Sequence, residues 1–197
     1  SMYSGIITHR GAVISITNGR GSAALAVSIP RLRRLRSGAS VSIDGVCLTL
    51  AEKKKSVYHF EVIAETLRKT TLGSLLPNAL VNVETSLRVG DEVGGHFVFG
   101  HIDGVATIME SKATREETRL TIRPPRGLLR YLAPQGSVAL CGVGLTVSGL
   151  MGAAFTVSLT AFTLRHTTLG RLRVGDRVNL ECDMLAKYAA SVAAERR

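Results

Sequence analysis

The chain carries two copies of one pattern. Ser40-Val-Ser-Ile-Asp-Gly-Val-Cys-Leu-Thr49 returns as Ser137-Val-Ala-Leu-Cys-Gly-Val-Gly-Leu-Thr146. Glu65-Thr-Leu-Arg-Lys-Thr-Thr-Leu-Gly73 returns as Phe162-Thr-Leu-Arg-His-Thr-Thr-Leu-Gly170, and Val81-Asn-Val-Glu84 as Val178-Asn-Leu-Glu181. All three blocks recur at an offset of 97 residues, so no gap separates them and they belong to one duplicated unit, longer than any solenoid repeat. In 197 residues this predicts two domains, each of roughly 90 to 95 residues and just long enough to bury a core of its own. The copies differ in chemistry: Cys47 faces Gly144, Asp44 faces Cys141 and Glu65 faces Phe162.

Short β-rich runs dominate the first half: 12–17, 23–29, 41–43, 47–51, 58–64 and 81–85, separated by Gly, Asn and Ser turns. The second half repeats them at 104–110, 117–123, 137–140, 144–148, 155–161 and 177–181. Such spacing points to sandwiches or small closed barrels. Single helical turns are expected at 31–36, after Pro30, and at 127–132, after Pro124-Pro125. A sustained helix is expected only from Met184 to Arg197, with Asp183 as its N-cap. Its apolar residues Leu185, Tyr188, Ala189 and Val192 fall on one face, which wants a partner. The turn-rich passage from Arg88 to Gly95 links the copies and puts the boundary near residue 88.

Residues 137–164 carry no charged side chain and are long enough to span a bilayer. Four internal glycines, and the charges Asp44, Glu52 and Lys53-Lys-Lys55 in the matching stretch of the first copy, favour two buried strands joined by a turn instead. The formal charge of +10 is spread out, densest at 31–36, at Lys53-Lys-Lys55 and at 123–130. A basic face raises nucleic acid as a partner. No aromatic residues interleave with these clusters as base stacking requires, so the reading is a solvated surface and no nucleic acid. Three cysteines without C-x-x-C spacing point to a reducing cytosol and a cytoplasmic protein. The leading Ser1-Met2 reads as a cloning remnant with no signal peptide behind it.

Four motifs together carry a resemblance. They are 42–49 (Ser-Ile-Asp-Gly-Val-Cys-Leu-Thr), 65–73, 94–104 (Gly-Gly-His-Phe-Val-Phe-Gly-His-Ile-Asp-Gly) and 178–188 (Val-Asn-Leu-Glu-Cys-Asp-Met-Leu-Ala-Lys-Tyr). In order and over nearly the whole chain, they resemble riboflavin synthase. The resemblance implies an all-β chain of two tandem six-stranded antiparallel Greek-key barrels, over 1–88 and 89–183, with a C-terminal α-helix over 184–197 that assembles a homotrimer. It implies dismutation of two 6,7-dimethyl-8-ribityllumazine molecules by four-carbon transfer, giving riboflavin and a ribitylaminopyrimidine. Each active site would lie between the first barrel of one subunit and the second barrel of its neighbour. Neither metal nor redox cofactor is implied, and the resemblance admits association with lumazine synthase. The residues agree: no metal-ligand spacing and no phosphate-cradling glycine motif occurs. Joining two like molecules mainly requires stacking them in register, which a paired site achieves.

Carried over singly, the resemblance places Cys47 near the reacting ring, against the plainer reading of a small buried apolar residue. Ser40 and Thr49 become polar first-barrel contacts, joined by Glu65 and Thr66, with Thr146, Thr163 and Asp183 in the second barrel. His96 and His101 match the paired histidines of the family's G-G-H-x-x-x-G-H motif, and a histidine near neutral pH can shuttle the proton that leaves the substrate's C7 methyl. Tyr3, placed with Cys47, His96 and His101 among the catalytic residues, stands where the family usually has Phe, which keeps a ring for packing or stacking. The second barrel departs from the family at Gln135 (usually Lys), Cys141 (Asp), Gly144 (Ser) and Phe162 (Glu). These losses leave open a non-catalytic lumazine- or flavin-binding relative with a degenerate C-terminal site, beside the working enzyme. A basic barrel that binds RNA remains as a third class, recognisable by steep salt dependence.

Overall fold

The structure, a computed structural model, describes residues 1–19, 21–32 and 35–194. Six strands make the first half: β1 (His9–Asn18), β2 (Ser22–Ser28), β3 (Ser40–Ile43), β4 (Val46–Lys54), β5 (Val57–Ile63) and β6 (Leu80–Thr85). Six more make the second: β7 (Gly104–Ala113), β8 (Thr118–Arg123), β9 (Ser137–Leu140), β10 (Val143–Met151), β11 (Ala154–Leu159) and β12 (Arg177–Cys182). Each set closes into an antiparallel barrel with the same cyclic order: β1-β2-β5-β4-β3-β6 in the first, β7-β8-β11-β10-β9-β12 in the second. Closure removes the free sheet edges that strands this short would otherwise expose.

Alternation along the strands decides which face is filled. In β4, Val46, Leu48 and Leu50 are buried while Cys47, Thr49 and Ala51 face outward. The interior of the first barrel is packed by Leu25, Val27, Leu48, Phe60 and Val83, and that of the second by Ile108, Ile122, Val147, Phe155 and Leu180. The barrels are therefore solid, and chemistry must sit on their outer faces or between them. Register shifts recur at matching places, between Val13 and Ser15 in β1 and between Ile108 and Glu110 in β7. A second matching pair falls between Leu50 and Glu52 in β4 and between Val147 and Gly149 in β10. Such bulges bend strands sharply enough to close a small barrel.

All twelve expected strands are present, with no end moved by more than three residues. The charge-free stretch at 137–164 departs from its reading: it forms three strands, β9 to β11, and runs into a short helix. Among the described residues no helix is long and apolar enough to cross a membrane. Two short helices replace the expected ends of β5 and β11: α1 (Ala64–Lys69) and α2 (Ala161–His166). Each is followed by a 3-10 turn, at Thr71–Ser74 and Thr168–Arg171. Six residues are too few to show helical periodicity in a sequence. The repeated Thr-Thr-Leu-Gly block supplies their stop signal. Thr70 Oγ1 accepts from Leu72 N–H and Thr167 Oγ1 from Leu169 N–H, both at 3.2 Å.

The expected turn at 127–132 is a 3-10 turn over Leu128–Tyr131. Of the turn expected at 31–36, Arg33 and Arg34 lie outside the described residues, and Arg31 takes a left-handed φ of 60° rather than a helical one. The C-terminal helix α3 runs Met184–Ala194, and 195–197 lie outside the described residues. Asp183 caps it as expected: its Oδ1 accepts from Leu185 N–H (2.9 Å) and its carbonyl from Lys187 N–H (3.2 Å). Lys187 reaches back to both carboxylate oxygens of Asp103, 2.8 Å each, which ties α3 to the segment entering β7.

Candidate functional site

The site grows out of how the two barrels meet. Tyr3 and Val98 occupy equivalent places ahead of β1 and β7, and they exchange both backbone hydrogen bonds, at 2.7 and 3.0 Å. From there each arm lies on the other barrel. Cys47 N–H donates to Gly100 O (3.1 Å), and Gly144 N–H donates to Gly5 O (2.8 Å). Gly100 has a φ of +75°, and a Cβ there would fall 2.5 Å from the Cβ of Cys47. Only glycine lets the second arm press against β4.

Buried polar side chains hold this seam in duplicate. Glu84 accepts from Ser4 N–H (2.7 Å), Ser4 Oγ–H (2.7 Å) and Gly5 N–H (3.1 Å). Glu181 accepts from the N–H groups of Phe99 (2.7 Å), Gly100 (2.9 Å) and His101 (3.1 Å). Burial pushes both carboxyls above their ordinary value, although these donors pull the other way. Asn82 donates to Cys141 O (3.0 Å) and accepts from Thr168 N–H (2.7 Å). Asn179 mirrors it, donating to Asp44 O (2.8 Å) and accepting from Thr71 N–H (2.7 Å). Sequence reasoning found these residues as the third repeated block and gave them no role. The signal was there: a polar residue kept in both copies inside an apolar strand is a buried hydrogen-bonding group.

A cavity of about 290 Å³ opens beside β4, lined by Cys47, Glu65, Thr66, Lys69, His101 and Ile102 among others. Four of the residues singled out from sequence, Cys47, Glu65, Thr66 and His101, therefore converge. Lys69 was missed; it pairs with Glu65 at 2.6 Å, an exposed i,i+4 contact that sets direction more than stability. Lys69 also holds the Glu65 carboxyl below its ordinary value. Tyr3 is fully buried behind the cavity wall, and its hydroxyl donates to Cys47 Sγ at 3.1 Å. Burial raises the Tyr3 phenol far above its usual range, so it stays protonated. With no face open, Tyr3 packs and does not stack on a ligand. Ser40 and Thr49 are cross-strand partners on β3 and β4, and Thr49 shares the outward face of Cys47. They extend the site without lining this cavity.

The second barrel presents a different surface at matching positions. His96 goes there rather than to His101, so the paired histidines separate, one to each barrel. A Cβ on Gly144 would meet His96 Nδ1 at 3.2 Å and Cε1 at 3.4 Å, so the imidazole lies over the glycine. Burial lowers the His96 pKa, and the negative charge of Asp183 opposes that shift. Thr146 is exposed on β10, opposite Ser137. Thr163 is bound up in its own helix cap, its N–H donating to Thr160 Oγ1 at 3.2 Å. Where the first copy has the Glu65–Lys69 ion pair, Phe162 stacks on His166 with centroids 3.9 Å apart and planes 17° from parallel. Gln135 is an exposed turn residue with φ of 66°.

A larger opening of about 690 Å³ lies along the seam, walled by the two D-G/C-G turns and the 3-10 turns, and includes Asp44, Cys141, Arg171 and Arg177. None of the site residues identified from sequence lines it. The smaller cavity, where thiol, imidazole, carboxylate and hydroxyl meet, is the better candidate. It offers a ring-sized recess with proton-transfer groups on its wall and no cluster of ligands suited to a metal among the described residues.

Comparison with known proteins gives the same division. The lumazine binding domain family matches residues 4–86 and again 99–183. Riboflavin synthase of Brucella abortus (strain 2308) is 42% identical over 198 residues, covering 98% of both chains. Riboflavin synthase of Chlamydia pneumoniae is 41% identical over 94% of this chain and 92% of its own. That of Bacillus subtilis (strain 168) is 32% identical over 95% and 87%. Among solved structures, LumP complexed with riboflavin superposes with a TM-score of 0.85 at 21% identity, over 91% of this chain and 98% of that one, a likeness of fold.

Proposed function

This chain belongs to the riboflavin synthase family of paired lumazine-binding domains, and from that premise we propose that it makes riboflavin from two molecules of 6,7-dimethyl-8-ribityllumazine. One molecule gives up a four-carbon unit and leaves as the ribitylaminopyrimidine; the other accepts it. The exchange is a dismutation between like molecules, so no outside oxidant or reductant enters. The observation that carries the reading is the first-barrel cavity, where Cys47, His101 and the neighbouring pair Glu65 and Thr66 come together from three separate stretches of a chain related to these enzymes over nearly its full length.

The chain's own contribution is placement and proton transfer. The arms fix Cys47 against the second repeat, so a lumazine ring in the recess meets a thiol held at a set position. His101, at the same recess, is the group to take and return the C7-methyl proton. Glu65, Thr66 and Thr49 with Ser40 offer hydrogen bonds to the ribityl chain and ring. In the second barrel, Thr146, Thr163, His96 and Asp183 receive the other molecule. The division into barrels over 1–88 and 89–183 and an assembling helix over 184–197 goes with this reading. So does a cytoplasmic homotrimer whose active sites pair the first barrel of one subunit with the second barrel of the next. Support for assembly comes from α3, where Leu185, Tyr188 and Val192 form one exposed apolar face, 55–69% accessible. Lumazine synthase is a candidate for further association.

A second reading, a ligand-binding relative with one spent barrel, is favoured by Gly144 beneath His96 and by Phe162 in place of a carboxylate. One experiment separates the two. The purified protein is incubated with 6,7-dimethyl-8-ribityllumazine, riboflavin is followed by absorbance and chromatography, and bound lumazine is counted per chain. Riboflavin beyond one equivalent establishes the synthase. One tightly bound lumazine per chain without product establishes the carrier.

A further inference from the structure

We infer that the Tyr3 hydroxyl is a positioning group for Cys47, aiming the thiol into the first-barrel cavity; this rests on the reading of Cys47 as part of the lumazine site. Cys47 is held at two points by two different arms. The second repeat's arm fixes its backbone, through the bond from Cys47 N–H to Gly100 O at 3.1 Å. The first repeat's arm fixes its side chain, through the bond from Tyr3 O–H to Sγ at 3.1 Å.

Tyr3 is suited to the task because it cannot move. Its side chain is fully buried against Val98 and Ala139, and its backbone is paired in both directions with Val98. A cysteine on a strand has several staggered χ1 positions available, and a fixed donor selects one of them. Because the phenol donates, the sulfur accepts, which leaves the S–H free to point at whatever occupies the recess. A phenylalanine at this point would fill the same space and leave Sγ without this partner. Tyrosine here adds one directed bond to a site that already has its shape.

The plainer account is that a buried phenol needs some acceptor and found a nearby sulfur. A double-mutant cycle with Tyr3→Phe and Cys47→Ala distinguishes the two. If Tyr3 acts through Cys47, Tyr3→Phe alone lowers kcat about fivefold, the scale of one hydrogen bond, with KM changed less than about twofold. The same change made on Cys47→Ala then alters kcat less than about twofold. An infrared S–H stretching band, identified as the one that Cys47→Ala removes, shifts in Tyr3→Phe without any reference to activity. Equal losses in both backgrounds, or an unmoved S–H band, overturn the positioning role. Full turnover by Cys47→Ala itself overturns the reading of Cys47 on which the proposal stands.

Discussion

Cys47 and Gly144 hold the same place in the repeat, and what separates them is the group that lies over each. Gly144 has ordinary backbone angles, so a side chain is opposed mainly by the His96 ring, 3.2 Å from where a Cβ would stand, with the Gly5 Cα next at 3.4 Å. A serine would push the imidazole by a few tenths of an ångström and set a hydroxyl beside Nδ1. Gly144→Ser is therefore expected to cost about 1 kcal/mol of stability through crowding while raising turnover. Thermal melts and steady-state rates measure the two effects, and a stable variant with no gain shows that His96 already does the work of that hydroxyl. Asp44 gives a second case. Buried in the turn between β3 and β4, with Oδ1 accepting from Asn82 N–H at 2.8 Å, its carboxyl is pushed up to about 7 by desolvation. The unfolded chain ionises near 4, so between roughly pH 4 and 7 the folded state keeps a proton that the unfolded state has lost, and stability falls as pH rises. Asp44→Asn keeps the acceptor and tolerates the left-handed φ of 45°. It is expected to be more stable than the parent by about 2 kcal/mol at pH 8 and little different at pH 4.5. Urea titrations at both pH values check this; identical pH dependence in the two proteins would rule out Asp44 as the source. Motifs revealed Cys47, Glu65, Thr66 and His101 because each sits in a long local pattern. The parting of His96 from His101 was hidden, since it depends on which arm crosses which barrel.

At the scale of elements, duplication made the strands legible twice over, and alternation such as Val46, Leu48 and Leu50 against Cys47, Thr49 and Ala51 assigned their faces. The short helices were not legible. α2 has a capping Thr160, but its counterpart α1 begins after Ile63, which offers no side-chain cap. A six-residue helix with one unmarked end has too few residues to show a period. The link between α3 and the barrels was equally hidden, because Lys187 and Asp103 are far apart in sequence. Their side chains are each only 19% exposed, which places this pair apart from the four surface pairs among the described residues. Lys187→Met would leave Asp103 with the Cys182 N–H as its remaining partner at 2.8 Å. Loosening of α3 by about 2 kcal/mol is expected, with the barrels intact. Native-state hydrogen exchange reads this directly: protection should drop in 184–194 and hold in β1 to β12. A uniform drop would mean that the pair stabilises the whole fold and does not specifically dock the helix.

For the whole molecule, the central fact is that each barrel is filled by its own side chains, so two ligands must bind on outer faces and be brought together from outside. One chain offers an equipped first-barrel recess and a simpler second-barrel surface. Its α3 leaves Leu185, Tyr188 and Val192 uncovered at spacings of three and four residues, one stripe along the helix. If that stripe joins subunits, and the joint places unlike barrels face to face, then assembly and catalysis depend on the same contact while binding to the first barrel does not. Leu185→Glu combined with Val192→Glu puts two charges into the stripe and touches neither cavity wall nor seam. The variant is expected to sediment as a monomer, to keep the melting behaviour of its barrels, and to bind one lumazine per chain. Its turnover should fall by about a hundredfold or more, because the second reactant is no longer held in register. Analytical ultracentrifugation and lumazine fluorescence titration, run on the same preparation as the rate assay, keep these outcomes apart. A monomer that turns over at the parental rate would place both lumazines on a single chain, with the seam between its two barrels as the only surface left to align them.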